Sequence, residues 1–150
     1  MITRINNKEK EASEKIYLLF QASYKIEAEL LKATNFPPLK RTVNDLIGSN
    51  NTFFAYYIEK EMLGAIEIDD GISMHIQSLV VHPKSFRKGI GKKLVSFVLD
   101  YYTSKSFTVE TGAVNYPAIK LYKQFNFQEI KQWDTDHGVR KIRFKRVLKH

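Results

Sequence analysis

Leu79-Val80-Val81-His82-Pro83-Lys84-Ser85-Phe86-Arg87-Lys88-Gly89-Ile90-Gly91-Lys92-Lys93-Leu94 is the stretch on which the reading of this chain turns. An apolar strand runs into a proline turn, then a basic loop punctuated by glycine, then an amphipathic helix. Such a loop delivers consecutive backbone N–H groups to a helix N-terminus. There the unpaired donors and a helix dipole worth roughly half a positive charge together favour a phosphate. Gly89 and Gly91 carry no Cβ, so a diphosphate can approach the main chain closely. Arg87, Lys88, Lys92 and Lys93 surround it with positive charge. The segment reads as a cradle for the diphosphate of a nucleotide-like cofactor.

Two common phosphate motifs do not fit. A Walker loop ends in Gly-Lys-Ser/Thr, which this segment lacks. A dinucleotide fingerprint requires Gly-x-Gly-x-x-Gly, and here Leu94 stands at the third glycine. What the segment resembles is the acetyl-CoA loop of the GNAT superfamily of acyltransferases, Gln/Arg-x-x-Gly-x-Gly/Ala after a strand ending in Val-x-Pro. Gly89-Ile90-Gly91 keeps that register behind Pro83, while Phe86 departs from it by replacing the usual Gln or Arg.

A second segment strengthens the resemblance. Asn115-Tyr116-Pro117-Ala118-Ile119-Lys120-Leu121-Tyr122-Lys123-Gln124-Phe125-Asn126-Phe127 is similar to the superfamily's Asn-x-x-Ala-x-x-Leu-Tyr-x-x-x-Gly-Phe. Asn115 is a good N-cap, and Pro117 is tolerated in a first helical turn. Asn115 and Tyr122, seven residues apart, share one helical face. Asn126 replaces the usual Gly, and Asn is the next-best residue at a left-handed helix terminus.

Length and composition suit a single domain over residues 1–150, with 43% hydrophobic and 13% aromatic residues to supply a core, and the resemblance implies that it is an N-acetyltransferase domain. The absence of cysteine excludes disulfides, thiolate metal sites and a cysteine nucleophile. The N-terminal residues lack the apolar run of a signal peptide, and no segment approaches the ~20 apolar residues of a membrane span. The expectation is a cytoplasmic protein without a membrane partner. Twenty-four Lys and Arg against sixteen Asp and Glu give a net charge of +8. Part of that excess sits in the loop at Lys84 to Lys93, where polyanionic CoA accounts for it. The rest sits in Arg140 to Arg146, where Ile142, Phe144 and Leu148 alternate with Lys141, Arg143 and Lys145 as in a strand with one wet face. No nucleic-acid recognition motif is present. His75, His82, His137 and His150 show no paired metal-ligand spacing, so no metal is expected, and His82 reads as structural.

The pattern along the chain predicts a helix in residues 8–33, a break at Phe36-Pro37-Pro38-Leu39, and a helical turn or two at Val43 to Ile47. Strands follow at Phe53 to Glu59, Met62 to Asp69 and Ile72 to Val81, the last two joined by an Asp70-Gly71 turn. Behind the glycine loop a helix aligns Ile90, Leu94, Phe97, Val98 and Tyr101. A strand at Phe107 to Thr111, the Asn115 helix, and a hairpin of Phe127 to Trp133 with Val139 to Leu148 complete the chain. This order, helices first, is that of an α+β fold of the GNAT (acyl-CoA N-acyltransferase) type, with a mixed, mostly antiparallel sheet flanked by helices.

The resemblance implies acetyl-CoA as co-substrate and acetyl transfer to a primary amine by direct attack in a ternary complex. It implies that Leu79, Val80 and Val81 bind the pantetheine arm like an added strand, with the Val81 N–H near the thioester oxygen. Arg87, Lys88, Gly89, Ile90, Gly91 and Lys92 would hold the diphosphate, with Asn115 and Tyr122 completing the cofactor site. Tyr122 is expected to donate to the CoA sulfur. A phenol near pKa ~10 is a weaker acid than a thiol near ~8.5, so hydrogen-bond stabilisation of the thiolate is the sounder description. For the base, Glu110 lies five residues before Asn115, a spacing some N-terminal acetyltransferases of the superfamily use. His75 falls on the strand position where lysine-modifying relatives carry Glu, and alternation would put it on one face with Gln77, Leu79 and Val81. Glu110, His75 or a water chain all remain open. The front helices form much of the acceptor pocket in this superfamily, which makes Tyr24, Glu27 and Phe36 candidates to line it. The acceptor, a small molecule or a peptide, is not specified, nor is acyl-chain length or oligomeric state, a homodimer included. Two alternatives stand beside the transferase: a catalytically silent CoA-binding sensor or interaction module, and a basic nucleic-acid binder.

Overall fold

The computed structural model describes residues 1–103 and 105–147. Seven strands form one sheet in the order β1-β2-β3-β4-β5-β7-β6. They are β1 Ile2–Ile5, β2 Thr52–Ile58, β3 Glu61–Asp69, β4 Met74–Val81, β5 Phe107–Gly112, β6 Gln128–Asp134 and β7 Arg140–Arg146. Every neighbouring pair is antiparallel except β4 with β5. Four helices flank the sheet: α1 Lys10–Leu31, α2 Val43–Gly48, α3 Ile90–Tyr101 and α4 Tyr116–Gln124. The α+β architecture with a mixed, mostly antiparallel sheet is as the sequence implied. Leu148, expected to end the last strand, and His150 lie outside the described residues.

Two features depart from expectation. The chain opens with a strand rather than a helix: Ile2 to Ile5 pair with Tyr56 to Phe53 at the edge of the sheet. Four residues are too few to reveal a period, and β2 rather than local sequence dictates their conformation. Along α1, Ile16, Leu19, Phe20, Tyr24 and Leu31 are buried, whereas the equally apolar Ile26 and Leu30 face solvent.

The sheet separates two apolar cores. On one face, Ile90, Leu94, Val95 and Val98 of α3 pack against Phe54, Ile66, Ile76 and Val109. Each such buried side chain contributes roughly 1.5–3 kcal/mol. Helix α3 lies so close to β3 that a Cβ on Gly64 would come within 2.7 Å of Ile90. On the other face α1 packs Ile16, Leu19 and Phe20 over Phe53, Ala65 and Val80. Its C-terminal end presses on β5, where a Cβ on Gly112 would lie 2.5 Å from Leu31. These two contacts set the helices on either side of the centre of the sheet.

At that centre the sheet parts. Strands β4 and β5 pair only from Met74–Phe107 to Ile76–Val109. Beyond Ile76 the register of β4 against β3 slips: Ile68 opposes Ile76, yet Glu67 opposes Ser78, leaving Gln77 as a bulge. A bulge bends its strand and ends local pairing, and from here β4 keeps β3 as its partner and leaves β5.

Candidate active site

The parting exposes main chain. The His82 N–H donates to Leu63 O at 2.8 Å, towards β3. Successive N–H groups along a strand point in opposite directions in its plane, so those of Val81 and Leu79 face the gap. These are two of the three residues expected to carry an added strand. Val80 instead packs its side chain into the α1 core.

The glycine loop adjoins this edge. His82 takes the Lys84 N–H on its Nδ1 at 3.2 Å, and Pro83–Ser85 form a single 3-10 turn. Arg87 and Gly89 both adopt positive φ, 65° and 77°, which turns the chain abruptly into α3. Gly89 is the N-cap, no acidic residue occupies the first turn, and the Lys93 N–H is already bonded to Gly89 O at 3.0 Å. The N–H groups of Ile90, Gly91 and Lys92 precede the first intrahelical donor and remain the free ones. Nothing lies within 4 Å of where a Gly89 Cβ would project. Gly91 sits against Leu121, Leu79 and Val81, so the helix start rests on both α4 and the free edge of β4. Arg87, Lys88 and Lys92 are exposed around it, and Ile90 is buried as the anchor.

A cleft of about 540 Å³ continues from Leu79 between α1, β4, β5 and α4. Tyr122, Asn115, Glu110, Tyr24, Glu27 and Phe36 all line it, so six residues from distant parts of the sequence meet in one cavity. Val80, Val81 and the loop lie beyond its walls, at the β4 terminus. Tyr122 is buried, with its ring edge-on to Phe127 at 5.4 Å. Burial, aided by nearby Tyr24 and Glu27, pushes its phenol far above the ordinary value. It therefore stays protonated and able to donate at any working pH. Asn115 caps α4 as expected, its Oδ1 accepting from the Ala118 N–H at 3.4 Å, while its Nδ2 donates to Glu27 Oε1 at 2.9 Å.

The base candidates differ in placement. Glu110 lines the cleft, but its Oε2 accepts from Arg143 Nη1 at 2.5 Å. His75 is not among the lining residues. Its Nδ1 is 2.7 Å from the Thr108 hydroxyl, and burial lowers its pKa below the usual imidazole value despite the opposing charge of Glu110. The predicted shared face also fails, because the Gln77 bulge reverses alternation. Leu79 aligns with Ile66, whereas His75 shares its face with Ser78 and Val80.

Several residues of the cleft carried no local signal. Arg41 follows the Pro37-Pro38 break and reaches fully buried Glu67 with both nitrogens, at 2.6 and 2.7 Å. Ser78 and Asn51 complete the carboxylate's shell at 2.9 and 2.8 Å. Lys141 enters from β7. Nothing short of the folded sheet brings Arg41 to Glu67 or Lys141 to the cleft. Among the described residues no group of three or more His, Asp or Glu could hold a metal ion, and no helix is long and apolar enough to cross a membrane.

Residues 14–127 match the family model described as Acetyltransferase (GNAT) family. The UPF0157 protein YqkA of Bacillus subtilis (strain 168) is 33% identical over 141 residues, covering 93% of this chain and 41% of that protein. An N-alpha-acetyltransferase of Sulfolobus acidocaldarius is 36% identical over 96 residues, 53% of this chain and 57% of the relative. The chain thus spans roughly half the length of these curated relatives. An aminoglycoside 6'-N-acetyltransferase crystallised with coenzyme A superposes with a TM-score of 0.73 at 12% identity, covering 97% of this chain and 96% of that one. Family match, sheet topology, parted strands and glycine loop agree, and the chain belongs to the GNAT acetyltransferase family.

Proposed function

We propose that this protein is an N-acetyltransferase that moves an acetyl group from acetyl-CoA to a primary amine by direct attack in a ternary complex. The observation that carries this reading is the gap between β4 and β5. Its free Leu79 and Val81 N–H groups stand between the N-terminus of α3 on one side and the Tyr122 cleft on the other. The CoA-bound structural relative supports the cofactor, and the relatives' names support an amine acceptor.

The residues fit the cofactor in shape and charge. Arg87, Lys88 and Lys92, with the free N–H groups of Ile90, Gly91 and Lys92, would hold the diphosphate, and the open space before Gly89 admits it. The edge of Leu79 to Val81 would bond the pantetheine amides as a further strand. When bound, the cofactor supplies an acetyl thioester. The Val81 N–H would stabilise the oxyanion that develops on attack, a role worth about 2.7–4 kcal/mol in comparable sites. Tyr122 donates a hydrogen bond to the departing sulfur. Glu110 lines the cleft with its carboxylate already paired to Arg143.

A panel of amines assayed for thiol release with a thiol-reactive dye tests the reading, and the absence of cysteine keeps the background low. Acetyl-CoA at about one hundred times its dissociation constant should stabilise the fold by about 2.7 kcal/mol. No melting shift at millimolar acetyl-CoA would remove the cofactor, and a shift without turnover of any amine would favour a silent CoA-binding module.

A further inference from the structure

Of the glutamates in and behind the cleft, two are neutralised. Glu67 is gripped by Arg41 and Glu110 by Arg143. Glu27 is different. It stands on the cleft side of α1, one turn beyond Tyr24, and forms no ion pair among the described residues. Its carboxylate accepts a hydrogen bond from the Asn115 side-chain amide at 2.9 Å. That amide is oriented in turn, because the Asn115 carbonyl is committed to the first turn of α4. The Glu27 carboxylate is also near enough to Tyr122 for its charge to act on the phenol. If Tyr122 faces the sulfur, the amine that attacks the adjacent carbonyl enters the cleft that Glu27 lines.

We infer that Glu27 is the general base of the acetyl transfer and that Asn115 is the positioning residue that aims it. This rests on the proposed N-acetyltransferase activity. An ammonium acceptor enters with three N–H protons and leaves as an amide with one. Glu27 takes a proton from the ammonium, freeing the lone pair that forms the C–N bond, and passes that proton to solvent. The C–S bond breaks with its electron pair going to sulfur, where the hydrogen bond from Tyr122 stabilises the thiolate, and the second proton leaves the nitrogen for solvent, from which the thiolate is protonated. Charge and protons balance without a further reactant.

The electrostatics of the cleft suit this role. Burial lifts the Glu27 pKa to about 7, against the opposing influence of Lys141 from β7 and of the Asn115 hydrogen bond. Tyr24 faces it from its own helix, Tyr122 from α4 and Glu110 from β5 across the same cleft. A base works best when its pKa lies near the operating pH. A carboxylate held so high costs the fold stability at neutral pH, and such costs concentrate at functional sites.

The test is Glu27→Gln, which keeps an oxygen for Asn115 and removes only the basicity. The parent's kcat/KM, measured between about pH 5.5 and 9.5 on the best amine, should show an acidic limb centred near pH 7. The variant should lose about 100-fold or more at the plateau and lose the limb with it. The acetyl-CoA melting shift should be unchanged. Asn115→Ser keeps a cap for α4 but withdraws the amide from Glu27. It should lower the rate and move the limb to higher pH, because the hydrogen bond it removes favours the ionised carboxylate. Should the Gln variant melt below assay temperature, Glu27→Asp replaces it: a slowed enzyme that keeps the limb supports the assignment. Full activity in either Glu27 variant, or a limb that persists in Glu27→Gln, overturns it. Failure of the parent itself to turn over any amine would overturn the transferase reading instead, before a variant is made.

Discussion

Arg41 Nη1 and Nη2 bond both oxygens of Glu67 at 2.6 and 2.7 Å, and the carboxylate they hold is completely excluded from solvent. The pair joins the segment after the Pro37-Pro38 break to the middle of β3. That segment carries Lys40 and Arg41 into the cleft wall behind Phe36, so the ion pair fixes the shape of the cavity as well as the packing of the fold. Hydrogen bonding to Glu67 raises the guanidinium pKa further, so its charge is permanent.

Breaking this pair should cost far more than replacing it. Arg41→Met strands a buried carboxylate and should destabilise the protein by about 3–5 kcal/mol in urea unfolding. The double variant Arg41→Met, Glu67→Leu removes both charges and should recover most of that loss. A double variant as unstable as the single one would mean that the hydrogen bonds from Ser78 and Asn51, not the charge pair, set the energy.

Tyr122→Phe removes one hydroxyl from a ring seated on Phe127 and leaves the packing in place. Turnover should fall roughly 100-fold or more if the phenol assists the leaving thiolate. Acetyl-CoA binding, followed by melting shift, should stay within a few-fold of the parent. Unaltered turnover with chemistry rate-limiting would exclude the donor role.

Two glycine substitutions should fail in different ways. Gly89→Val puts a β-branched residue at φ 77° and fills the space in front of the helix start. The acetyl-CoA melting shift should vanish, with the unliganded protein losing only about 1–2 kcal/mol of stability to the backbone strain. Gly112→Ala drives a methyl group to 2.5 Å from Leu31 and should lower the melting temperature of the free protein while the cofactor shift survives. Identical behaviour of the two variants would deny the loop its binding role.

Stability should depend on pH through Glu27. Its pKa rises from 4.5 to about 7 on folding, so the folded state binds the proton more tightly than the unfolded one. The associated stabilisation is complete below about pH 4.5 and is lost progressively as pH rises to about 7 and beyond. Glu27→Gln should therefore melt higher than the parent at about pH 8.5, by on the order of 1–3 kcal/mol after solvent screening, and nearly with it at about pH 4.5. Equal differences at both pH values would show that Glu27 titrates normally.

Much of the backbone was legible because its cues are local. Pro83 breaks β4, Gly89 supplies the positive φ, Asn115 caps α4 and Asn126 closes it at φ 66°, each through the conformational chemistry of one residue. The edge strand β1 was not legible, since four residues acquire their conformation from β2. The face of His75 was misread because strand alternation holds only until a bulge, and the Gln77 bulge arises from pairing across to β3.

The side-chain chemistry divides in the same way. The sequence by itself determined the family, the glycine loop, the Asn115–Tyr122 helix and the order of elements, because these depend on spacing within continuous segments. Tertiary structure alone decided which ionisable groups meet. Arg143 comes to Glu110 and Arg41 to Glu67 through sheet and loop contacts, while Glu27 finds no ion-pair partner among the described residues and lies beside Asn115, a residue 88 positions away. A pKa is set by burial and by neighbours in space, and neither is written in the linear order of the chain.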